Sequence, residues 1–385
     1  MFYGDSITAQ RLYTTFAETF VATRFPDLNI GFINSGCGGD KVSGGACGLI
    51  DARLRRDVFA HQPTVIVVML GMNDGSYRAF QEKEFRTYVR GFLHILESAK
   101  RALPAARLTI MTPSPYDEVT RPPLFKGGYN SVLLKYGNFL SHCASRSGRR
   151  LVDINTKLLV VLKKANTVDP DLAAQMIPDS VHPGAACQLL MAGELLKAWN
   201  APALVASVEI DAANKNIVST GTTLSNPRYG RALFWDQLDQ VLPMPVNWSD
   251  QVTALAIRSS DFIETLNAHR LRVTGLSEPR YQLVIDGAAV GHFSREQLGA
   301  GINLANLTTP MSRQAEQVHR LTIEHSSLSV AHWQSISGMS DFPQASIQKA
   351  VKEVSAAFVV EEAKLLKRRR DVARPVTHRF QLSPD

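Results

Sequence analysis

The chain opens Met1-Phe2-Tyr3-Gly4-Asp5-Ser6-Ile7-Thr8, an apolar run closed by a glycine, two helix-capping residues and the start of a helical pattern. Asp and Ser are favoured at helix N-termini because their side-chain oxygens accept the free N–H groups of the first turn. The stretch therefore reads as a strand turning directly into a helix, with Ser6 at the turn. Alone, Ser6 reads first as a helix cap, with an exposed serine at the sheet's carboxyl edge as the alternative. The pattern then repeats. Short, largely apolar segments at residues 29–34, 65–70, 108–112 and 151–154 have the composition of buried parallel strands. Amphipathic stretches lie between and after them, at residues 10–24, 51–61, 82–102, 129–147, 156–165 and 185–199. In residues 82–102, Phe85, Val89, Phe92, Leu93, Ile95 and Leu96 fall on one helical face. Such alternation predicts an α/β fold, a parallel sheet with helices on both faces.

After residue 200 the pattern changes. Short strands with turn punctuation are expected at residues 205–210, 231–235, 253–258, 271–273 and 281–285, and Asp286-Gly287 is a hairpin signal. Helical pattern returns at residues 311–324 and, after a loop at 337–343, at 345–370. The tail past Pro375 is expected to fray. The chain thus divides into residues 1–202, a smaller, strand-rich α+β accessory region at 203–343, and a basic helix and tail at 344–385.

With 385 residues, 45% apolar and 20% charged, the composition is that of a globular protein. No window approaches about 18 uninterrupted apolar residues, so no transmembrane segment is expected. The net charge is +7, and much of the excess sits in Lys364, Lys367, Arg368, Arg369, Arg370, Arg374 and Arg379. Such a run at a helix end reads as a solvated face that suits the negative end of the helix dipole. No aromatic platform or reading motif accompanies it, so no nucleic-acid partner is expected. The four cysteines, Cys37, Cys47, Cys143 and Cys187, form no CxxC and are too few for a disulfide-built scaffold. Cys37 and Cys47 flank a glycine-rich loop and could bridge; the preferred reading is two free small hydrophobes.

The chemistry lies in four motifs. Gly4-Asp5-Ser6 is the first. Asn34-Ser35-Gly36-Cys37-Gly38-Gly39-Asp40 follows the second strand, and its glycines let backbone N–H groups approach a ligand closely. Lys41 breaks the GxGxxG that a dinucleotide site would need. Gly71-Met72-Asn73-Asp74 follows the third strand; Asn73 can cap a turn or aim its amide at developing negative charge. Asp179-Ser180-Val181-His182-Pro183 puts a carboxylate three residues before an imidazole, close enough to fix its tautomer and leave the other nitrogen free for a proton. The plain alternative is a surface histidine near a helix start.

In order and position these blocks resemble those of the SGNH (GDSL-type) serine hydrolase superfamily, over roughly residues 1–200. The resemblance implies a three-layer α/β/α, flavodoxin-like parallel sheet in the order 2-1-3-4-5. It implies a serine esterase that works through an acyl-enzyme. Ser6 would be the nucleophile, His182 its base, and Asp179 the group that orients His182. The N–H groups of Ser6 and Gly39 and the amide of Asn73 would form the oxyanion hole. Asp5 would make local backbone hydrogen bonds. Neither metal nor cofactor is needed, and HExxH and GxSxG are absent.

The loop after the fourth strand should overhang the site, and Tyr116, Asp117 and Tyr129 are its candidate substrate contacts. The substrate expected is a small-molecule or oligosaccharide ester, by family analogy a carbohydrate O-acetyl ester. A lipase- or arylesterase-type hydrolase, or a non-catalytic carbohydrate-binding protein on a retained hydrolase fold, are the alternatives. Trp235 and Trp248 read as packing residues rather than a sugar platform. Only three residues precede Gly4, where the family has a full apolar strand. A start internal to a longer gene is expected, with Ser6 poorly anchored here. An upstream export signal would then make the protein periplasmic or secreted; a true start at Met1 would leave it cytoplasmic.

Overall fold

The computed structural model describes residues 1–337, 339 and 342–385, so the loop expected at 337–343 lies partly outside the described residues. The chain forms two compact units. One comprises Met1–Ala17, Ile30–Asn200 and Asp250–Ser260, the other Glu18–Asn29, Ala201–Ser249 and Asp261–Asp385.

In the first unit, β1 (Phe2–Gly4), β2 (Asn34–Gly36), β3 (Val65–Met69), β4 (Arg107–Met111) and β5 (Arg150–Val152) form one parallel sheet in the order β2-β1-β3-β4-β5. This is the expected flavodoxin-like 2-1-3-4-5. Ile66 to Met69 and Leu108 to Met111 are buried without a break, as strands covered on both faces are. Short as it is, β1 pairs on both sides, Tyr3 with Ser35 and with Val68. Phe2 and Tyr3 are fully buried, and Phe2 meets Tyr13 edge-on at 5.6 Å. Contrary to expectation, the strand beside Ser6 is firmly held. The second strand starts where 29–34 was expected to end, because Ile30 lies at the surface and only the segment beside β1 finds ladder partners.

Helices flank the sheet: α1 (Ser6–Ala9), α2 (Leu12–Arg24), α3 (Ile50–Asp57), α4 (Glu82–Ala102), α5 (Asn130–Ser147), α6 (Ile154–Val168), α7 (Pro170–Ala174), α8 (Ala185–Ala198) and α9 (Gln251–Arg258). The helix expected at 10–24 is broken from α1 by Arg11, at φ +64°. The strand expected at 253–258 is α9 instead. Asp250 caps it by accepting from the Thr253 N–H at 3.1 Å, and Ala254, Leu255, Ala256 and Ile257 are all buried, so a continuous apolar run served a buried helix.

The second unit holds β6 (Leu204–Asp211), β7 (Asn216–Thr220), β8 (Thr222–Arg228), β9 (Leu233–Asp239), α10 (Phe262–Leu266), β10 (Ala268–Thr274), β11 (Arg280–Ile285), β12 (Ala288–Ser294), α11 (Arg295–Ala300), β13 (Ile302–Asn303), α12 (Pro310–Ser337), α13 (Ala345–Ala373) and β14 (His378–Pro384). Its sheets run β8-β9-β14-β11-β12 and β13-β10-β6-β7. Asp286 and Gly287 turn the β11–β12 hairpin at φ +50° and +78°, as expected. The tail does not fray. β14 is the middle strand of its sheet, with Phe380 and Leu382 fully buried and Phe380 stacked on Trp235 at 5.0 Å. Trp235 is thus a packing residue. Nor is the whole basic run solvated: Arg369 is buried in an ion pair with Glu18.

Ile110, fully buried in β4, gives a direct check on the sheet core. Ile110→Ala should lower the unfolding free energy by about 2–5 kcal/mol in urea titration. Val160→Ala, at a side chain 65% exposed, should change it by no more than about 0.5 kcal/mol. Equal effects would mean that β4 does not sit in the core.

Candidate active site

The turn from β1 into α1 places Ser6. A Cβ on Gly4 would lie 2.2 Å from Thr8 Oγ1 and 2.7 Å from the Met69 carbonyl oxygen, so only glycine lets the helix start this close to the sheet. Asp5 caps α1, its Oδ1 accepting from the Ile7 N–H at 3.0 Å, the local backbone role expected for it. Burial pushes the Asp5 carboxyl up to about 7, against the pull of that N–H and with the help of Asp74 and Asp40 nearby.

Ser6 Oγ lies 2.8 Å from His182 Nε2. On the far side of the ring, His182 Nδ1 is 2.6 Å from Asp179 Oδ2. Asp179 Oδ1 accepts the N–H groups of Val181 and His182 at 3.0 and 2.7 Å. Burial opposes ionisation here, but these three bonds outweigh it and hold the Asp179 carboxyl below its ordinary range. An anionic Asp179 accepts the Nδ1–H hydrogen bond, which fixes the tautomer and leaves Nε2 free to accept from the Ser6 hydroxyl. The tight turn between the two residues runs through Ser180 at φ +66°.

Gly39 and Asn73 are brought to the same strand ends. The Cys37 N–H donates to the Gly4 carbonyl at 3.0 Å, which docks the glycine loop two residues before Ser6. Gly39, at φ +74°, is exposed beyond that anchor. The Asn73 Nδ2 donates to the Asp40 carbonyl at 3.0 Å, and Asp74 Oδ1 accepts from the Val42 N–H at 3.0 Å, so the Gly71–Asp74 turn and the glycine loop are stitched together. Cys37 and Cys47 are not free thiols: they form a disulfide across this loop. The loop doubles back at Lys41 and Gly44 and brings the two Cα atoms to 6.4 Å, a fold-back that residue composition did not reveal. Cys143 and Cys187 are free.

The loop after β4 serves the site differently from what its composition suggested. Tyr129 is fully buried, its hydroxyl donating to the Met72 carbonyl at 2.6 Å. Tyr116 packs edge-on against it at 5.4 Å. The buried Asp117 carboxylate accepts from the N–H groups of Val119 and Thr120 at 2.9 and 3.0 Å and from Arg121 at 3.1 Å, while its own N–H donates to the Ser180 carbonyl at 2.8 Å. Arg121 satisfies the carbonyls of Ala174, Ile177 and Pro178 at 2.8 to 3.0 Å. The loop therefore props up the segment that carries Asp179 and His182. Sequence reasoning placed Arg121 in the overhanging loop without foreseeing this bracing role, and missed Arg53 beneath the glycine loop and Tyr77 beside Asn73. Tyr77 alone left a signal, as an aromatic four residues beyond Asn73. Among the described residues no group of three or more His, Cys, Asp or Glu side chains could hold a metal ion, and no helix is long and apolar enough to cross a membrane.

Residues 2–189 match the GDSL-like Lipase/Acylhydrolase family. The chain carries a GDSL-like acylhydrolase domain. It is a carboxylic ester hydrolase. An acetylxylan esterase of Geobacillus stearothermophilus is 25% identical to this chain over 189 residues, which is 48% of this chain and 79% of that protein. Among solved structures, a gut microbial diltiazem-metabolizing enzyme is 26% identical with a TM-score of 0.83, covering 100% of this chain and 97% of its own. That likeness extends through both units.

Burial also pushes the Asp74 carboxyl up to about 7, against the pull of the Val42 N–H. Unfolded, such a group titrates near 4. Between these values the folded acylhydrolase domain holds the extra proton, so the contribution to stability is complete below about pH 4 and is lost as pH rises through about 7. Asp74→Asn keeps an oxygen for Val42 and removes the titration. Its loss of unfolding free energy between pH 5 and 8.5 should be smaller than the parent's by on the order of 1–3 kcal/mol. Parallel pH profiles for the two proteins would refute the shift.

Proposed function

We propose that the acylhydrolase domain is a serine esterase in which Ser6, His182 and Asp179 act as one unit. The observation that carries this is the continuous hydrogen-bonded chain, 2.8 Å from Ser6 to His182 and 2.6 Å from His182 to Asp179. Ser6 Oγ attacks the ester carbonyl carbon as its proton passes to His182 Nε2. The carbonyl oxygen becomes an oxyanion, met by the N–H groups of Ser6 and Gly39 and by Asn73 Nδ2. When the tetrahedral adduct collapses, the C–O bond to the alcohol breaks and His182 returns its proton to the leaving oxygen. A water, deprotonated by the same Nε2, then attacks the acyl-enzyme; the acyl C–O bond to Ser6 breaks, His182 returns the proton to Ser6 Oγ, and the acid leaves. Asp179 stays anionic and stabilises the imidazolium formed in each half.

The substrate we assign is an acetyl ester on a carbohydrate. The acetylxylan esterase to which the chain is similar supports this class. The half-buried Tyr77 ring, backed by Tyr129 at 5.0 Å and Tyr116 at 6.2 Å, supports it too, as an aromatic wall on which a sugar could pack. Tyr116, Asp117 and Tyr129 are assigned to shaping that wall from within.

Ser6→Ala and His182→Ala should each lower kcat by at least about 10⁴-fold, and the double variant by little more than either. Asp179→Asn should retain more activity than these. Multiplying single losses in the double variant would argue that the two residues do not share a step.

A panel of acetylated xylooligosaccharides, 4-nitrophenyl acetate, butyrate and decanoate, and diltiazem should rank acetyl esters first, with sugar acetates above the aryl acetate in kcat/KM. Fastest turnover of the decanoate would replace the carbohydrate assignment with a lipase-type one.

A further inference from the structure

An asparagine in an oxyanion hole has to be held one way round. Turning the Asn73 amide by 180° would exchange Nδ2 for Oδ1 and present a lone pair to the developing oxyanion, where a donor is needed. Two groups oppose that turn. The Asp40 carbonyl can only accept, and it takes one Nδ2 hydrogen at 3.0 Å. On the other edge of the amide, the Tyr77 hydroxyl donates to Oδ1 at 2.9 Å. With both made, the second Nδ2 hydrogen is left for a ligand.

The backbone carries a cost to bring Tyr77 there. Ser76 and Tyr77 are both left-handed, at φ +53° and +55°. For a bulky residue this is a true outlier, disfavoured by the clash of Cβ with the backbone. Such strain persists only where its surroundings over-determine it, and it clusters at working sites. Here the Ser76 N–H donates back to the Asn73 carbonyl at 3.1 Å, and the Tyr77 ring packs on Tyr129 at 5.0 Å. Gly75 has to be glycine, since a Cβ there would lie 2.7 Å from the Tyr129 hydroxyl. The double left-handed turn swings the tyrosine back over the residue four positions earlier.

We propose that Tyr77 is a positioning residue for ester hydrolysis, whose hydroxyl locks the Asn73 amide with an N–H turned toward the oxyanion. This rests on the assignment of Asn73 to the oxyanion hole. Independently, burial and the charges of Asp5 and Asp179 push the Tyr77 phenol up to about 12, so the hydroxyl keeps its proton throughout the range in which His182 would act as base.

Tyr77→Phe keeps the ring, its packing and the turn, and removes only the donor. With 4-nitrophenyl acetate, kcat and kcat/KM should fall together by about 10- to 100-fold while KM stays within about twofold, the pattern of an interaction made only in the transition state. Affinity for a boronic acid that forms a tetrahedral adduct should weaken in parallel, with an unchanged melting temperature. Asn73→Ala should lose about 10²–10³-fold. In that background Tyr77→Phe should cost nothing further, because there is no amide left to orient. Wild-type kcat in Tyr77→Phe beside an impaired Asn73→Ala overturns the role of Tyr77 and leaves the oxyanion hole standing. The same loss with and without Asn73 also overturns it, since Tyr77 would then act elsewhere. An unimpaired Asn73→Ala removes the oxyanion assignment itself.

Discussion

Beneath the glycine loop, one buried guanidinium joins the parts that the carboxyl edge of the sheet is built from. Arg53, 1% exposed on α3, donates from Nε to Asp40 at 2.9 Å, from Nη2 to the Ser35 carbonyl at 2.8 Å, and from Nη1 to Asp57. It also lies 5.1 Å over the ring of Tyr3. β1, β2, the glycine loop and α3 therefore share one cation. A buried ion pair of this kind is poor evidence of net stability, because desolvation offsets most of the attraction. Deleting one member is another matter: it strands the remaining charges at about 3–5 kcal/mol. What such a pair confers is register. With Asp40 fixed, its carbonyl is fixed, and Asn73 hangs from that carbonyl next to Gly39.

The ionisation of the site follows from the same enclosure. Asp5 and Asp74 are walled in beneath the strand ends, and burial pushes each up to about 7. Asp179 sits at the surface with three hydrogen bonds to one carboxylate and is held low. In the proposed reaction this puts the negative charge behind the imidazole, where a cation develops, and lessens it beneath the carbonyl, where an anion develops. One residue type serves two electrostatic ends because its surroundings differ.

The sheet and its order were legible because a parallel strand buried on both faces writes itself as a short apolar run, and residues 65–70 and 108–112 are such runs. The same signal misled at residues 253–258, where a capped helix buried on all sides presents an equal run of apolar residues. The C-terminal strand was hidden for a different reason. Its alternation through Phe380 and Leu382 is clear only once β9 and β11 stand on either side, and both lie far away in the sequence. At the site, the four motifs located the residues that would touch the reacting atoms. Their supports were not legible. Arg53 and Arg121 act through contacts between distant segments, which no local spacing encodes; Tyr77 and the Cys37–Cys47 pair were in view as residues, but not the contacts they make.

These supports share a logic. Each loop that delivers a site residue is closed by a tie to another segment rather than by its own turn alone. The glycine loop is closed by the disulfide and by Val42 bonding to Asp74; the Asn73 turn by Asp40 and Tyr129; the Asp179–His182 segment by Asp117 and Arg121. A loop held only locally can rotate its donors to follow whatever charge is present, as water does, and electrostatic stabilisation then costs reorganisation during the reaction. Donors fixed in advance avoid that cost, which is the main advantage an oxyanion hole has over solvent. Left-handed residues at Ser76, Tyr77 and Ser180 fit the same account, since a backbone routed by function rather than comfort needs neighbours to hold it there. The sheet contributes a rigid edge, and the ties between loops turn that edge into a geometry.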